Sequence, residues 1–163
     1  MHGYEMARYF EDGLGDVCPV EPSLLYAYLK NLEARGLVRW QEQRVGGRPP
    51  RKQYELTPAG ERLVDAWLRE PVARLREIRL EFLVKLYVLH EIDLAAEREL
   101  VAEQIAVVEQ YRERVAARLA AATGNFERIV AGSKLAAAQG TLTWLRLYLD
   151  ELREDSEVDA SPS

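Results

Sequence analysis

Four cations, Arg44, Arg48, Arg51 and Lys52, fall close together around the pairs Gly46-Gly47 and Pro49-Pro50. Guanidinium and ammonium groups at that density are suited to binding phosphate, arginine as a two-pronged fork and lysine as a point charge. A solvated basic turn is the competing interpretation, because charge runs commonly serve only solubility. The wider distribution favours the first. From Ser23 to Leu56 there are seven Lys and Arg residues against three Glu, an excess of four, whereas the whole chain carries −5 and the remainder therefore −9. A basic reader on an acidic body is the expected organisation.

Other chemistry has little to work with. The two histidines, His2 and His90, are remote in sequence, Cys18 is the single cysteine, and no glycine-rich phosphate loop precedes a helix. His90 is expected to be a favourable charge at a helix C-terminus, and Glu97, Glu99, Glu103 and Glu109 to form a solvated face. The chain is not expected to be an enzyme, and neither a metal site nor a cofactor is anticipated. One cysteine forms no intramolecular disulfide, which fits a reducing compartment. No apolar run reaches the length of a membrane span and the N-terminus lacks a signal-peptide layout, so a cytoplasmic protein without membrane association is expected.

The elements that would carry the basic stretch can be read from punctuation and spacing. Tyr4 to about Asp12 reads as a short helix, followed by a turn marked by Gly13, Gly15 and Pro19. Pro22 suits the first turn of the next helix, and Gly36 stops it. Leu25, Leu29 and Leu32 form one buried stripe on it; Ser23, Leu24, Ala27, Lys30 and Asn31 lie largely on other faces, with Tyr26 near the boundary. Leu37–Gln43 alternates as a strand, with Val38 and Trp40 opposite Arg39, and Gln53–Leu56 returns as its partner. The glycines and prolines between them make the hairpin tip, and Thr57-Pro58 opens another helix.

Helical patterning continues to the end. One helix is expected from Pro58 to about Glu70, with Pro71 interrupting it before a second from Val72 to about His90. Asp93 would cap a long helix to about Ala122, bearing the stripe Leu94, Val101, Ile105, Val108, Val115 and Leu119, with Arg112 in one stripe position. A last helix runs from about Phe126 to Arg153. The fold class is mainly α: a winged helix-turn-helix DNA-binding domain over residues 1–70, a helical dimerisation and effector domain over 72–153, and a disordered acidic tail over 154–163.

The segments HGYEMAR, PSLLYAYLKNLEARGLV and GGRPPRKQYELTPAG, nearly continuous from His2 to Gly60, closely resemble the PadR family of bacterial transcriptional regulators. LEFLVKLYVL and WLRLYLDEL resemble the longer C-terminal helical domain of its virulence-activator-related subgroup. The resemblance implies a recognition helix presenting Ser23, Leu24, Tyr26, Ala27 and Lys30, and a wing presenting Arg48, Arg51 and Lys52, beside Arg44 from the motif itself. Tyr4 and Tyr54 match family tyrosines whose expected role is packing around the helix and wing. Leu24 and Ala27 replace the threonine and arginine common in the family, which lowers the hydrogen-bonding capacity of the helix. The family also places a helix of roughly three turns before the histidine motif, so Met1 is expected to be a misplaced start.

The implied partners are double-stranded DNA and a second copy of the chain, since a palindromic operator matches a two-fold dimer. Repression is the expected outcome. Many family members answer small aromatic compounds, and Trp67, Tyr87, Tyr111, Trp144 and Tyr148 are candidates to line such a pocket; filling helix contacts is the alternative role. An alternative function for the whole chain is a winged-helix interaction and dimerisation module that does not bind DNA.

Overall fold

The computed structural model describes residues 1–15, 17–43 and 51–159, with side-chain surroundings as far as Glu154. Arg44 and Arg48 lie outside the described residues. In chain order the elements are α1 (Gly3–Leu14), α2 (Pro22–Ala34), β1 (Val38–Gln43), β2 (Arg51–Leu56), α3 (Pro58–Arg69), α4 (Leu75–Glu77), a π-turn (Ile78–Phe82), α5 (Leu83–Ile92), α6 (Leu94–Ala121) and α7 (Asn125–Asp159). They group into two compact units, Met1–Leu68 with Leu83–Tyr87, and Arg69–Phe82 with Val88–Ser163. The family of elements is mainly α, with one small antiparallel sheet.

The first unit is held by Leu25 and Leu29 of α2, Val38 of β1 and Tyr54 of β2, with Met6, Ala7, Val20 and Leu32 packed against them. Burial of side chains this size stabilises by about 1.5–3 kcal/mol each, so a few such residues suffice to orient α2 on the hairpin. Pro22 stands at the start of α2, and Gly36 ends it with φ +68, a conformation glycine adopts without steric penalty. The Thr57 side chain closes the next junction, donating to the Gly36 carbonyl at 2.7 Å and accepting from Gly60 N at 3.1 Å. Gly60 is required there for room: a Cβ would lie 2.0 Å from the Leu37 carbonyl oxygen. In the same unit, Gly13 leaves room for the hydroxyl end of Tyr87, whose ring meets Tyr9 at 5.4 Å between centroids.

The second unit contains the long antiparallel pair α6 and α7. Asp93 caps α6, accepting from Ala96 N at 3.0 Å. That hydrogen bond, followed by Arg69 nearby, holds the Asp93 carboxyl below its ordinary value. Pro71 does break the chain, but helix resumes only at Leu75 and passes through the π-turn before α5, not continuously from Val72. The non-helical backbone at Val72 is buried and is satisfied by a side chain: Val72 N donates to Gln104 Oε1 at 2.7 Å, and Gln104 Nε2 donates to the Val72 carbonyl at 3.0 Å.

Gln104 shifts the stripe expected on α6. Val101, Val108 and Val115 are buried as the spacing predicts, but the flank they share holds Glu97, Leu100 and Gln104, while Leu94 is exposed and Ile105 only half-buried. Glu97 is fully buried, contrary to its expected place on a solvated face. It accepts from Tyr148 Oη at 2.6 Å and from His90 Nδ1 at 3.1 Å, so His90 pairs with a side chain and not only with a helix end. At the C-terminus α7 runs to Asp159. The first residues of the segment expected to be disordered, 154–159, are therefore helical.

Candidate nucleic-acid interface

The interface is built from α2, β2 and the first residues of the chain. Burying Leu25 and Leu29 turns Ser23, Leu24, Tyr26, Ala27 and Lys30 outward, and all five are exposed. Leu24 and Tyr26 keep 46% and 50% of their surface in solvent, and Tyr28, which the sequence reading did not single out, is exposed as well. This is a helix face free to enter a groove.

Beside it, β1 and β2 pair in register from Val38 with Leu56 to Gln43 with Arg51. The pleat places Lys52 diagonally to Trp40, and its Nζ sits 3.8 Å from the centre of that ring. Trp40 is itself held by Nε1 donation to Glu33 Oε1 at 2.7 Å, so the hairpin is tied back to α2. On the other face Arg39 pairs with Glu55, its cross-strand neighbour, at 3.2 Å.

The chain start adds a further rung. Met1 N donates to the Tyr54 carbonyl at 3.0 Å, Tyr54 N donates to the Met1 carbonyl at 2.9 Å, and His2 lies opposite Gln53. His2 Nδ1 also donates to the Lys52 carbonyl at 3.1 Å. The chain then turns into α1 at Gly3, where a Cβ would press into the Tyr26 ring. These contacts leave a cleft of about 890 Å³. Lys30 and Glu33 of α2, Arg51, Lys52 and Tyr54 of β2, and His2, Tyr4 and Tyr26 line it.

Of the expected contact residues, the structure thus brings Tyr26, Lys30, Arg51 and Lys52 around one cleft. Sequence reasoning missed His2 and Tyr4 as cleft residues, although both stand in the HGYEMAR motif. Tyr4 departs from its expected packing role because it is exposed, whereas Tyr54 is buried in the core. Burial, with Glu33 and Tyr26 adding smaller effects, pushes the Tyr54 hydroxyl pKa up.

The aromatic residues considered for a ligand pocket divide between the units. Trp67 and Tyr87 belong to the first, where Trp67 lies 5.0 Å from the buried Lys85 Nζ. Tyr111, Trp144 and Tyr148 belong to the second. There Trp144 stacks on Tyr148 at 6.2 Å and meets the edge of Phe82 at 6.3 Å. Tyr111 lines a separate recess with Arg114, Arg118 and Lys134. Among the described residues, no group of three or more His, Cys, Asp and Glu side chains could hold a metal ion, and no helix is long and apolar enough to cross a membrane.

An exposed helix seated on a basic β-hairpin, with a second short helix bracing both, defines the winged helix-turn-helix class of DNA-binding module. Residues 1–66 match the family model described as "Transcriptional regulator PadR-like family". Over this domain the chain is similar to the PadR-like family of transcriptional regulators. It is similar to the Negative transcriptional regulator PadR of Bacillus subtilis (strain 168), with 25% identity over 134 residues, which are 82% of this chain and 70% of that protein. Similar solved structures include B. subtilis PadR in complex with operator DNA, at 19% identity over 93% of this chain and 89% of that one, with a TM-score of 0.44. Another is the Vibrio cholerae virulence activator AphA, at 22% identity, 93% and 89% coverage and a TM-score of 0.42.

Proposed function

We propose that this protein is a repressor that binds a palindromic operator as a homodimer and leaves it when a small aromatic ligand binds. The observation carrying the DNA-binding part is the cleft where the exposed face of α2 meets Lys30, Arg51 and Lys52. In this reading, residues 1–70 are the reader, α2 enters the major groove with Ser23, Leu24, Tyr26 and Ala27, and the cations hold the flanking phosphates. Arg44 and Arg48 add charge at the wing. Leu24 and Ala27 offer apolar contact, suited to thymine methyl groups, and few hydrogen bonds. Sequence preference then leans on DNA shape as much as on base edges.

Residues 72–153 supply the dimer in this reading. The outward face of α7 supports it: Phe126 and Leu147 keep 77% and 60% of their surface exposed, and Ile129 and Trp144 are exposed between them. Repression is supported by the name of the similar B. subtilis protein, a negative transcriptional regulator. A footprint on the promoter of the protein's own transcription unit tests the reading. Protection of an inverted repeat, with half-sites about one helical turn apart, is expected. No protection, together with binding that is indifferent to salt, would favour the alternative of a protein-interaction module.

A further inference from the structure

One tryptophan joins α2 to the hairpin, and it uses both its N–H and its ring to do so. Trp40 lies on β1, on the face of the ladder that it shares with Tyr54 and Lys52 of β2. Its Nε1 donates to Glu33 Oε1 on α2 at 2.7 Å, and Lys52 Nζ rests 3.8 Å from its ring centre. Glu33 and Lys52 both line the cleft, as does Lys30, about one turn before Glu33 on the same face of α2. Helix, indole and strand cation are therefore linked in series.

The hairpin holds two of its cations by different means, with different consequences. On the other face Arg39 pairs with the Glu55 carboxylate at 3.2 Å, which opposes its charge. An aromatic ring attracts an ammonium through its quadrupole and carries no net charge, so the ring localises Lys52 without cancelling its charge. A free lysine has a flexible stem to order before it meets a phosphate, and that entropy lowers affinity. For Lys52 much of the ordering is done in advance. His2 Nδ1 donates to its carbonyl at 3.1 Å, its strand is paired with β1, and the ring seats its ammonium. The ring is fixed in turn, because the bond to Glu33 selects one rotamer of an exposed indole.

We propose that Trp40 is a positioning residue for DNA binding: it holds the Lys52 ammonium ready for a backbone phosphate beside α2, and Glu33 holds Trp40. Trp40 acts through Lys52, not by reading a base. Glu33 then has two opposing effects. Its charge repels phosphate near Lys30 and Lys52, while its acceptor oxygen fixes the ring, which accounts for a carboxylate in a cleft lined by cations. The inference rests on the DNA-binding part of the function proposed above and adds to it a residue that carries no charge of its own.

Fluorescence-anisotropy titration of the full chain with a mixed-sequence DNA duplex tests it, because such a duplex reports phosphate contact without base recognition. Trp40→Leu is expected to weaken binding by about threefold to tenfold in the wild-type background and no further in a Lys52→Met background. At Glu33, glutamine and methionine are similar in length and both uncharged, but only glutamine offers the indole an acceptor. Glu33→Gln should bind at least as tightly as wild type, and Glu33→Met about threefold more weakly than Glu33→Gln. A charge effect alone would tighten both equally. The Glu33 variants leave the hairpin unaltered, so they decide the outcome if Trp40→Leu fails to fold. Unchanged affinity in Trp40→Leu, an equal loss with and without Lys52, or equal binding by the two Glu33 variants would overturn the role of Trp40. A wild-type chain that does not bind the duplex overturns the DNA-binding reading itself, whereas duplex binding indifferent to Trp40 and to the Glu33 acceptor discards this inference alone.

Discussion

Two helices leave apolar residues in solvent, and they do so differently. On α2 the exposed Leu24, Tyr26 and Tyr28 are mixed with Ser23 and Lys30 and face a hairpin carrying Arg51 and Lys52. On α7 the exposed Phe126, Ile129, Trp144 and Leu147 are separated by small residues such as Ala136, Ala137 and Gly140, and their spacing follows the helical repeat. The first face is short, polar at its edges and cationic, which fits a polyanion. The second is long and apolar with small residues between, which fits another helix. Exposure alone does not say what a surface receives; the charge beside it and the length over which it repeats do.

The largest effect is expected from breaking the second face. Ile129→Glu with Leu147→Glu should convert a dimer to a monomer in multi-angle light scattering. Operator affinity should then fall by a hundredfold or more, because one half-site contact is lost per complex. A variant that stays dimeric would move the interface elsewhere. Next is the platform beneath the first face. Gly60→Ala forces a Cβ against the Leu37 carbonyl and should cost on the order of 2–3 kcal/mol in thermal or denaturant unfolding, with amide exchange accelerated chiefly in residues 1–68.

Smaller effects should come from the polar groups buried beneath α6. Glu97→Ala removes the buried carboxylate that accepts from the Tyr148 hydroxyl and should destabilise by about 1–3 kcal/mol, while Glu97→Gln, which retains an acceptor, should lose less. The smallest is at Asp93. Its carboxyl lies below its ordinary value when folded, so its contribution is complete above about pH 4 and is lost as pH falls through the lowered folded value. Asp93→Asn should therefore lower Tm slightly at pH 7, leave it unchanged below the lowered folded value, and so flatten the acid side of a Tm-against-pH curve.

The contrast between the two units also marks where sequence was informative. Pro22, Gly36 and Thr57 act through local backbone chemistry, so helix, strands and cap could be placed from residue types alone. Leu25 and Leu29 declared the buried side of α2 and thereby its exposed face. His2 was invisible as a strand partner because a single bridge to Gln53 has no periodicity. Glu97 was misjudged, and Gln104 not singled out, for another reason: a charge or amide in a helix is normally solvated, and only tertiary partners, Tyr148, His90 and the Val72 backbone, make burial tolerable.

The central claim is that the cations beside α2 hold DNA phosphates. It is tested most directly by the salt dependence of operator binding for wild type and for Arg51→Ala/Lys52→Ala. Wild-type affinity should fall linearly on a log–log plot, and the slope should shrink by about 0.9 for each phosphate contact removed, with affinity lowered for specific and non-specific DNA alike. An unchanged slope in the double variant, or wild-type binding insensitive to salt, would contradict it.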